Sequence, residues 1–365
     1  MNPLDRGSGG GAPPLSTPGS AGGGAIRLTA LGALKLDGVI SANGNPGLQG
    51  GGGGSGGSVW LTAGSISGNG AITANGGDGN ANSGGGGGGR IAVEYGTNYF
   101  SGAIAARGGN GVNRGGAGTV YTKARNSAVG ELVIDNGGQR GTNTSWLSTG
   151  MLDLTITGGA VVVPPFSPFL SNLMIGANSA LVLSNQIELT VRGDALIQQG
   201  GVITADGAGY GPGQGPGAGR VADSQRGIIA GGGGYGGNGA SGASATAFGG
   251  ATYGSLTAAG WGSGGGGPGT IQARTGGAGG GSIQMFVNGT LTVLGRISAN
   301  GSDGLQGGGG GSGGSINITA HALLGSGQIS ANGGMGGLQS GGGGGGRIAI
   351  VLSQPNIFNG IITAF

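Results

Sequence analysis

A fourteen-residue phrase, GLQGGGGGSGGSVW at positions 47–60, returns as GLQGGGGGSGGSIN at 304–317. A flexible glycine linker needs no fixed spelling. Here the Leu-Gln ahead of the run and the serine inside it come back together, so these glycines are held to defined places. Shorter echoes surround them. VISANG, AITANG and AIAARG put isoleucine at 40, 72 and 104, VITADG puts it at 203, and RISANG, QISANG and IITAF put it at 297, 329 and 362. The period is 32 residues, 33 in its last step, and an offset of 257 relates Ile40 to Ile297 and Ile26 to Ile283. No single unit of this length buries its apolar face alone, whereas stacked neighbours do, which is the logic of a solenoid.

The apolar residues fall in short β-branched runs (SVWLTA, RIAVEY, SALVLSNQIELTV) bounded by Gly or Asn-Gly, and no stretch of helical period carries caps. The pattern predicts an all-β parallel β-helix with six-residue strands, its corners turned by Asn-Gly at positive φ. Five regions follow. Residues 1–24 are a Gly/Pro-rich tail, 25–124 a first copy of the glycine-rich block, and 125–206 plainer coils. Residues 207–281 are a long Gly-rich excursion, and 282–365 a partial second copy.

Ordering glycine costs roughly 0.5–1 kcal/mol more than ordering alanine, so 105 ordered glycines would cost on the order of 50–100 kcal/mol. A typical net stability is only about 5–15 kcal/mol. The runs are therefore loops, or they recover the cost together. Extended glycine strands can lie side by side with every N–H and C=O paired, because no Cβ intrudes. The repeated spelling favours this second arrangement: stacked, polyglycine-II-like excursions.

Collagen is excluded, since there is no G-X-Y period and only 12 prolines. The net charge of +3 comes from thinly spread arginines, with no basic cluster to bind nucleic acid. The chain has no cysteine, no run of 18 apolar residues to span a membrane and no recognisable signal peptide. GGDGNANSGG and NGSDGLQGG approach a Ca²⁺-binding nonapeptide but lack the apolar residue after the Asp. No metal or other cofactor is expected.

The two copies filter the candidate residues. At the 257 offset Asp78 faces Met335, Glu94 faces Val351 and His321 faces Gly64. Both copies keep glycine, the strand Ile/Val positions, Asn43/Asn300, Asn75/Asn332 and Arg90/Arg347. Chemistry-bearing residues change and backbone-serving ones stay. Polysaccharide-cleaving β-helices need converging carboxylates, or a carboxylate-bound metal with a basic residue, and the 12 acidic residues here are dispersed. The nearest pair in sequence, Glu131 and Asp135, would lie about 13 Å apart on one unbroken strand. No catalytic residue is expected. The arginines are expected to cap the carbonyls of the runs before them, with an anionic ligand as the alternative. Candidate ligand or partner contacts lie in the excursion: Tyr210, Tyr235, Phe248, Tyr253 and Trp261, which suit sugar stacking or protein contact, or pin the loop to the solenoid flank.

The shared words GGSGGS-[VI], I-[ST]-A-N-G and GGGGGGRIA cover residues 22–124 and 279–365. In these words the chain resembles a repeat of very large, glycine-rich surface or secreted proteins of environmental bacteria, with relatives in plant glycine-rich proteins. The resemblance implies an extracellular structural or adhesive role and carries over no catalytic residues. In composition, though not in motif order, the chain is similar to phage tail-tip adhesins that display loops on packed polyglycine helices. The expected function is an extracellular or cell-surface fibre or matrix subunit, assembling head-to-tail with itself where the second copy breaks off at Phe365. An adhesin for a cell-surface glycan or protein is the alternative.

Overall fold

The structure is a computed structural model that describes residues 3–12, 19–80, 82–146, 150–184, 186–222, 229–255, 259–267 and 276–365. Parts of the 1–24 tail and of the 207–281 excursion lie outside these residues. Among the described residues there is no helix; the elements are strands, nearly all paired in parallel. The chain divides into two compact units, Met1–Pro165 with Phe169–Ala180, and Phe166–Pro168 with Leu181–Phe365.

In the first unit Ala25–Lys35, Ser58–Gly68, Arg90–Phe100 and Thr119–Ala124 lie side by side. Their register stacks Ile26, Val59, Ile91 and Val120 in one row. A second, three-stranded sheet stacks Ile40, Ile72 and Ile104. Val59, Leu61, Ile66, Ile72, Ile91 and Val93 form the centre of one apolar cluster, with Ile26, Ile40, Ile104 and Val120 packed around it. The long strands have 11 residues, not six, because SVWLTA runs on through SISG; between Ala25–Lys35 and Ser58–Gly68 the pairing shifts once, between Ala30 and Ala33. Thr119–Ala124 then pairs antiparallel with Gly130–Asp135, placing Tyr121 beside Leu132 and Val120 beside Val133. Residues paired in register share a face. Leu132 and Ile134 are fully buried while Val120 belongs to the first cluster, so the buried face changes sides of the sheet at this pairing. Leu132, Leu154 and Leu173 continue the new core in parallel register.

The second unit repeats the plan. Ser282–Val293, Ser315–Gly325 and Arg347–Leu352 stack Ile283, Ile316 and Ile348, and a second sheet stacks Ile203, Ile297, Ile329 and Ile362.

The glycine runs carry no strand or helix, yet most of their amides donate backbone hydrogen bonds. In the run before Ser315, Gly310 and Gly313 donate to Gly341 and Gly344, Gly311 and Gly314 to Ser302 and Ala299, and Gly309 and Ser312 to Gly266 and Ser263, all at 2.8–2.9 Å. Three neighbours are thus addressed in turn, with a period of three residues. Positive φ is not found at Asn43, Asn75, Asn300 or Asn332, which corrects the expected corner. It lies at Gln49 (47°) with Gly50 (86°) and at Gln306 (42°) with Gly307 (98°). Gly51 donates to the Leu48 carbonyl and Gly308 to Leu305, both at 2.9 Å, so each Leu-Gln-Gly is a β-turn with both central residues left-handed.

Candidate functional site

The retained asparagines form a ladder along the stack. Asn43 Oδ1 accepts from the Asn75 backbone N–H at 2.7 Å, and Asn75 Oδ1 from Arg107 N–H at 2.8 Å. In the second unit Asn300 accepts from Asn332 at 2.8 Å and Asn332 from Phe365 at 3.2 Å. Aspartates fill the same role. Asp78 accepts from Asn110, Asp206 from Asn300 and Asp303 from Met335, at 2.6–2.7 Å. Asn136, fully buried, accepts from Gly108 N–H at 2.8 Å and donates to the Gly115 and Gln139 carbonyls. The strands leave each donor unpaired at a corner, and the short Asx side chain reaches one repeat along to satisfy it.

The two serines of GGSGGS hold a neighbouring segment. In the first unit Ser55 Oγ accepts from Ser8 N–H at 2.7 Å, and Ser58 Oγ donates to the Asp5 carbonyl at 2.6 Å. In the second unit Ser312 Oγ accepts from Ser263 N–H at 2.8 Å, and Ser315 Oγ donates to the Gly260 carbonyl at 2.8 Å. The held segments are themselves copies, RGSGGG at 6–11 and WGSGGG at 261–266. Composition suggests only a tail over residues 1–24; this second repeat is the signal that places its RGSGGG against the solenoid.

Four of the five excursion aromatics come together. Tyr210 meets Trp261 edge-on at 5.5 Å, and Tyr235 meets Tyr253 at 5.0 Å. Tyr253 O–H donates to the Trp261 carbonyl and accepts from Ser263 Oγ at 2.9 Å. Tyr235 is 1% exposed. Burial pushes the Tyr253 phenol up to about 12. Phe248 stands apart, 52% exposed. Arg347 lies over the Tyr235 ring at 4.6 Å and donates to its carbonyl at 3.4 Å. Arg90 pairs with Asp5 at 3.2 Å. Neither of these partners is a carbonyl of the preceding glycine run, so the expected capping gives way to contacts with the neighbouring segment.

The acidic residues take separate partners. Asp135 pairs with Arg107 at 3.3 Å and accepts from Gly137 N–H, while Glu131 accepts from Thr122 Oγ1 at 3.4 Å. The register sets Glu131 beside Asp153, a juxtaposition invisible in the linear sequence, and Asp153 accepts from Asn172 Nδ2 at 2.8 Å. His321 is exposed. Among the described residues no group of three or more His, Cys, Asp or Glu side chains is placed to hold a metal ion. Arg114 and Arg140 line an open polar cleft of about 410 Å³ with Asn110 and Gln139. No family model, no curated protein and no solved structure matches the chain.

Proposed function

We propose that the chain is a non-catalytic structural scaffold, a segment of an extracellular fibre or matrix. In this reading it is a parallel β-helix whose coils are spaced by stacked polyglycine-II-like rods. The observation that carries it is the repetition of the same bonds 32 residues apart. Strand pairs, glycine-run bonds and Asx rungs recur at this spacing. Each repeat offers the next one the same donors and acceptors, so the array extends by addition, within one molecule or between molecules in a heterologous contact. Asp78, Asp135, Asp206 and Asp303 support the reading because they serve backbone N–H groups, and Asp135 an arginine as well. The adhesin reading is favoured by one observation: the second unit carries an added glycine-rich layer with aromatic side groups and an exposed Phe248.

Negative-stain imaging and light scattering of the purified protein test this. Filaments that lengthen with concentration are expected. A monomer at every concentration, whose outermost strands resist hydrogen exchange, would overturn the fibre reading in favour of the adhesin.

A further inference from the structure

Ten Asn-Gly pairs occur in the sequence, at Asn43, Asn69, Asn75, Asn110, Asn136, Asn238, Asn288, Asn300, Asn332 and Asn359. Asn-Gly is the dipeptide most prone to spontaneous deamidation. The reaction needs a free backbone nitrogen on the glycine and an asparagine amide carbonyl it can attack. Here the fold withholds that nitrogen at most sites. The amides of Gly44, Gly76, Gly301 and Gly333 donate to the carbonyls of Asn75, Arg107, Asn332 and Phe365 at 2.7–2.8 Å. Those of Gly70, Gly239 and Gly289 donate to Leu36, Gly250 and Gly193 at 2.9–3.0 Å, and that of Gly137 to Asp135 Oδ1 at 2.9 Å. At the four ladder sites the donor on the Asn Oδ1 is a neutral backbone N–H of the next repeat, not a cation. Among the described residues only Gly111 and Gly360 follow an asparagine and donate no such bond.

Asn110 differs again from Asn359. Its Oδ1 accepts a hydrogen bond from the Arg114 guanidinium, and its Nδ2 donates to Asp78 at 3.1 Å. A cation on the carbonyl oxygen draws electrons from the carbon and stabilises the oxyanion that forms on attack. Asn110 and Gly111 are exposed and line the open cleft, so water reaches both.

We infer that Asn110–Gly111 is a self-modification site, activated by Arg114, while the ladder protects the asparagines on which the stack depends. The Gly111 nitrogen loses its proton to water and attacks Cγ of Asn110. The new bond from Gly111 N to Cγ forms as the bond from Cγ to Nδ2 breaks, and the leaving nitrogen takes a proton and departs as ammonia. Water then opens the succinimide to aspartate or isoaspartate. Water is the only co-reactant and nothing is oxidised. The product sets a new carboxylate against Asp78, and the isoaspartyl form adds a backbone methylene between two rungs, the Asn110 N–H to Asp78 and the Gly79 N–H to the Asn110 carbonyl. The change loosens that coil irreversibly.

The test is peptide mapping of the folded protein during incubation in mildly alkaline, isotopically labelled water, beside the same protein in denaturant. Asn110 should convert first, with label incorporated and both isomers present, at least about tenfold faster than Asn43, Asn75, Asn300 or Asn332, the factor expected from one bond lost or one charge supplied. In denaturant all ten should converge. Arg114→Gln should slow the folded-state conversion about tenfold and leave the denatured rate unchanged. Conversion at Asn110 no faster than at Asn75 in the folded protein would overturn the inference. An Arg114→Gln variant that converts at the original folded-state rate would overturn the role of the arginine.

Discussion

The glycine-rich blocks at 25–124 and 282–365 share their words and their bonds, and differ in what lies against them. Gly86 and Gly343 occupy equivalent places. A Cβ on either would fall under 3.0 Å from backbone of its own block, at Gly54 in one and Gly311 in the other. The next residues diverge. A Cβ on Gly87 meets nothing closer than the Gly116 carbonyl at 3.9 Å, whereas one on Gly344 would fall under 3.0 Å from the Gly237 carbonyl of the excursion. The same contrast separates Gly52 from Gly309 and Gly84 from Gly341, whose second-unit members meet Gly231 and Ala240. One spelling thus serves two environments. The glycines needed in both blocks close the coil, and those needed only in the second admit an added layer.

The largest effect is expected where the blocks agree. Gly86→Val and Gly343→Val should each cost several kcal/mol, about 2–5, because the new side group must push apart backbones that have no rotamer to yield. Chemical unfolding of the full-length protein, with peptide-resolved hydrogen exchange to assign the loss to one unit, measures both. A change below the error of the measurement at either site would remove the packing argument for both blocks.

The second prediction splits the pair. Gly344→Ala should destabilise by about 1–3 kcal/mol through overpacking. Gly87→Ala should instead stabilise by about 0.4–1 kcal/mol, since its φ is not in the left-handed region and the alanine restricts only the unfolded state. Equal effects at the two positions would mean that the excursion does not seat on the second block's run.

The ladder gives a comparable effect at its buried rung and a smaller one at the others. Asn136→Ala removes three hydrogen bonds from a fully buried residue and should cost about 1–3 kcal/mol. Asn75→Ala and Asn332→Ala each strand one exposed-side donor and should cost about 0.5–1.5 kcal/mol, alike in the two blocks. Replacement by Asp should restore most of this, because Asp78, Asp206 and Asp303 already act as rungs. A rung whose Asp variant is no better than its Ala variant would show that the Asx oxygen is not what the position requires.

Much of this is legible from the repeat. The 32-residue spacing identifies the rows that Ile40, Ile72 and Ile104 form, and the 257 offset picks out the asparagines that act as rungs. Their mechanism is not legible. Asn-Gly in isolation signals a turn, and only the stack shows that the asparagine serves the following repeat while Gln49 and Gln306 make the turn. The role of GGSGGS is hidden for a related reason: its partners, Ser8 and Ser263, sit 47 and 49 residues away, outside the 32-residue period. The Glu131–Asp153 neighbours come from a parallel pairing 22 residues apart, outside the 32-residue period, and the change of buried face at Tyr121–Leu132 from one antiparallel pairing, which no periodicity announces.

The smallest effect concerns alkaline stability and again separates the units. Burial raises the Tyr253 phenol to about 12, and the Ser263 hydrogen bond only partly opposes it. Burial and the nearby Glu94 also raise Tyr121 in the first unit. A phenol with a raised folded pKa keeps its proton more tightly when folded. Its contribution is fully present below the unfolded value near 10 and is lost as pH climbs through the folded value. The second unit should therefore lose stability between about pH 10 and 12, the window set by these two values. Tyr253→Phe removes the ionisable oxygen together with its bonds to Trp261 and Ser263. That variant should be slightly less stable than the parent near neutrality and should lose less as the pH rises, so the two curves converge or cross on the alkaline side. Tyr121→Phe should flatten the alkaline loss of the first unit in the same way and leave the second unchanged. Peptide-resolved hydrogen exchange along a pH series reads both units at once. If the Tyr253→Phe variant loses second-unit protection as steeply as the parent over that window, ionisation of the buried phenol is not what opens the aromatic cluster.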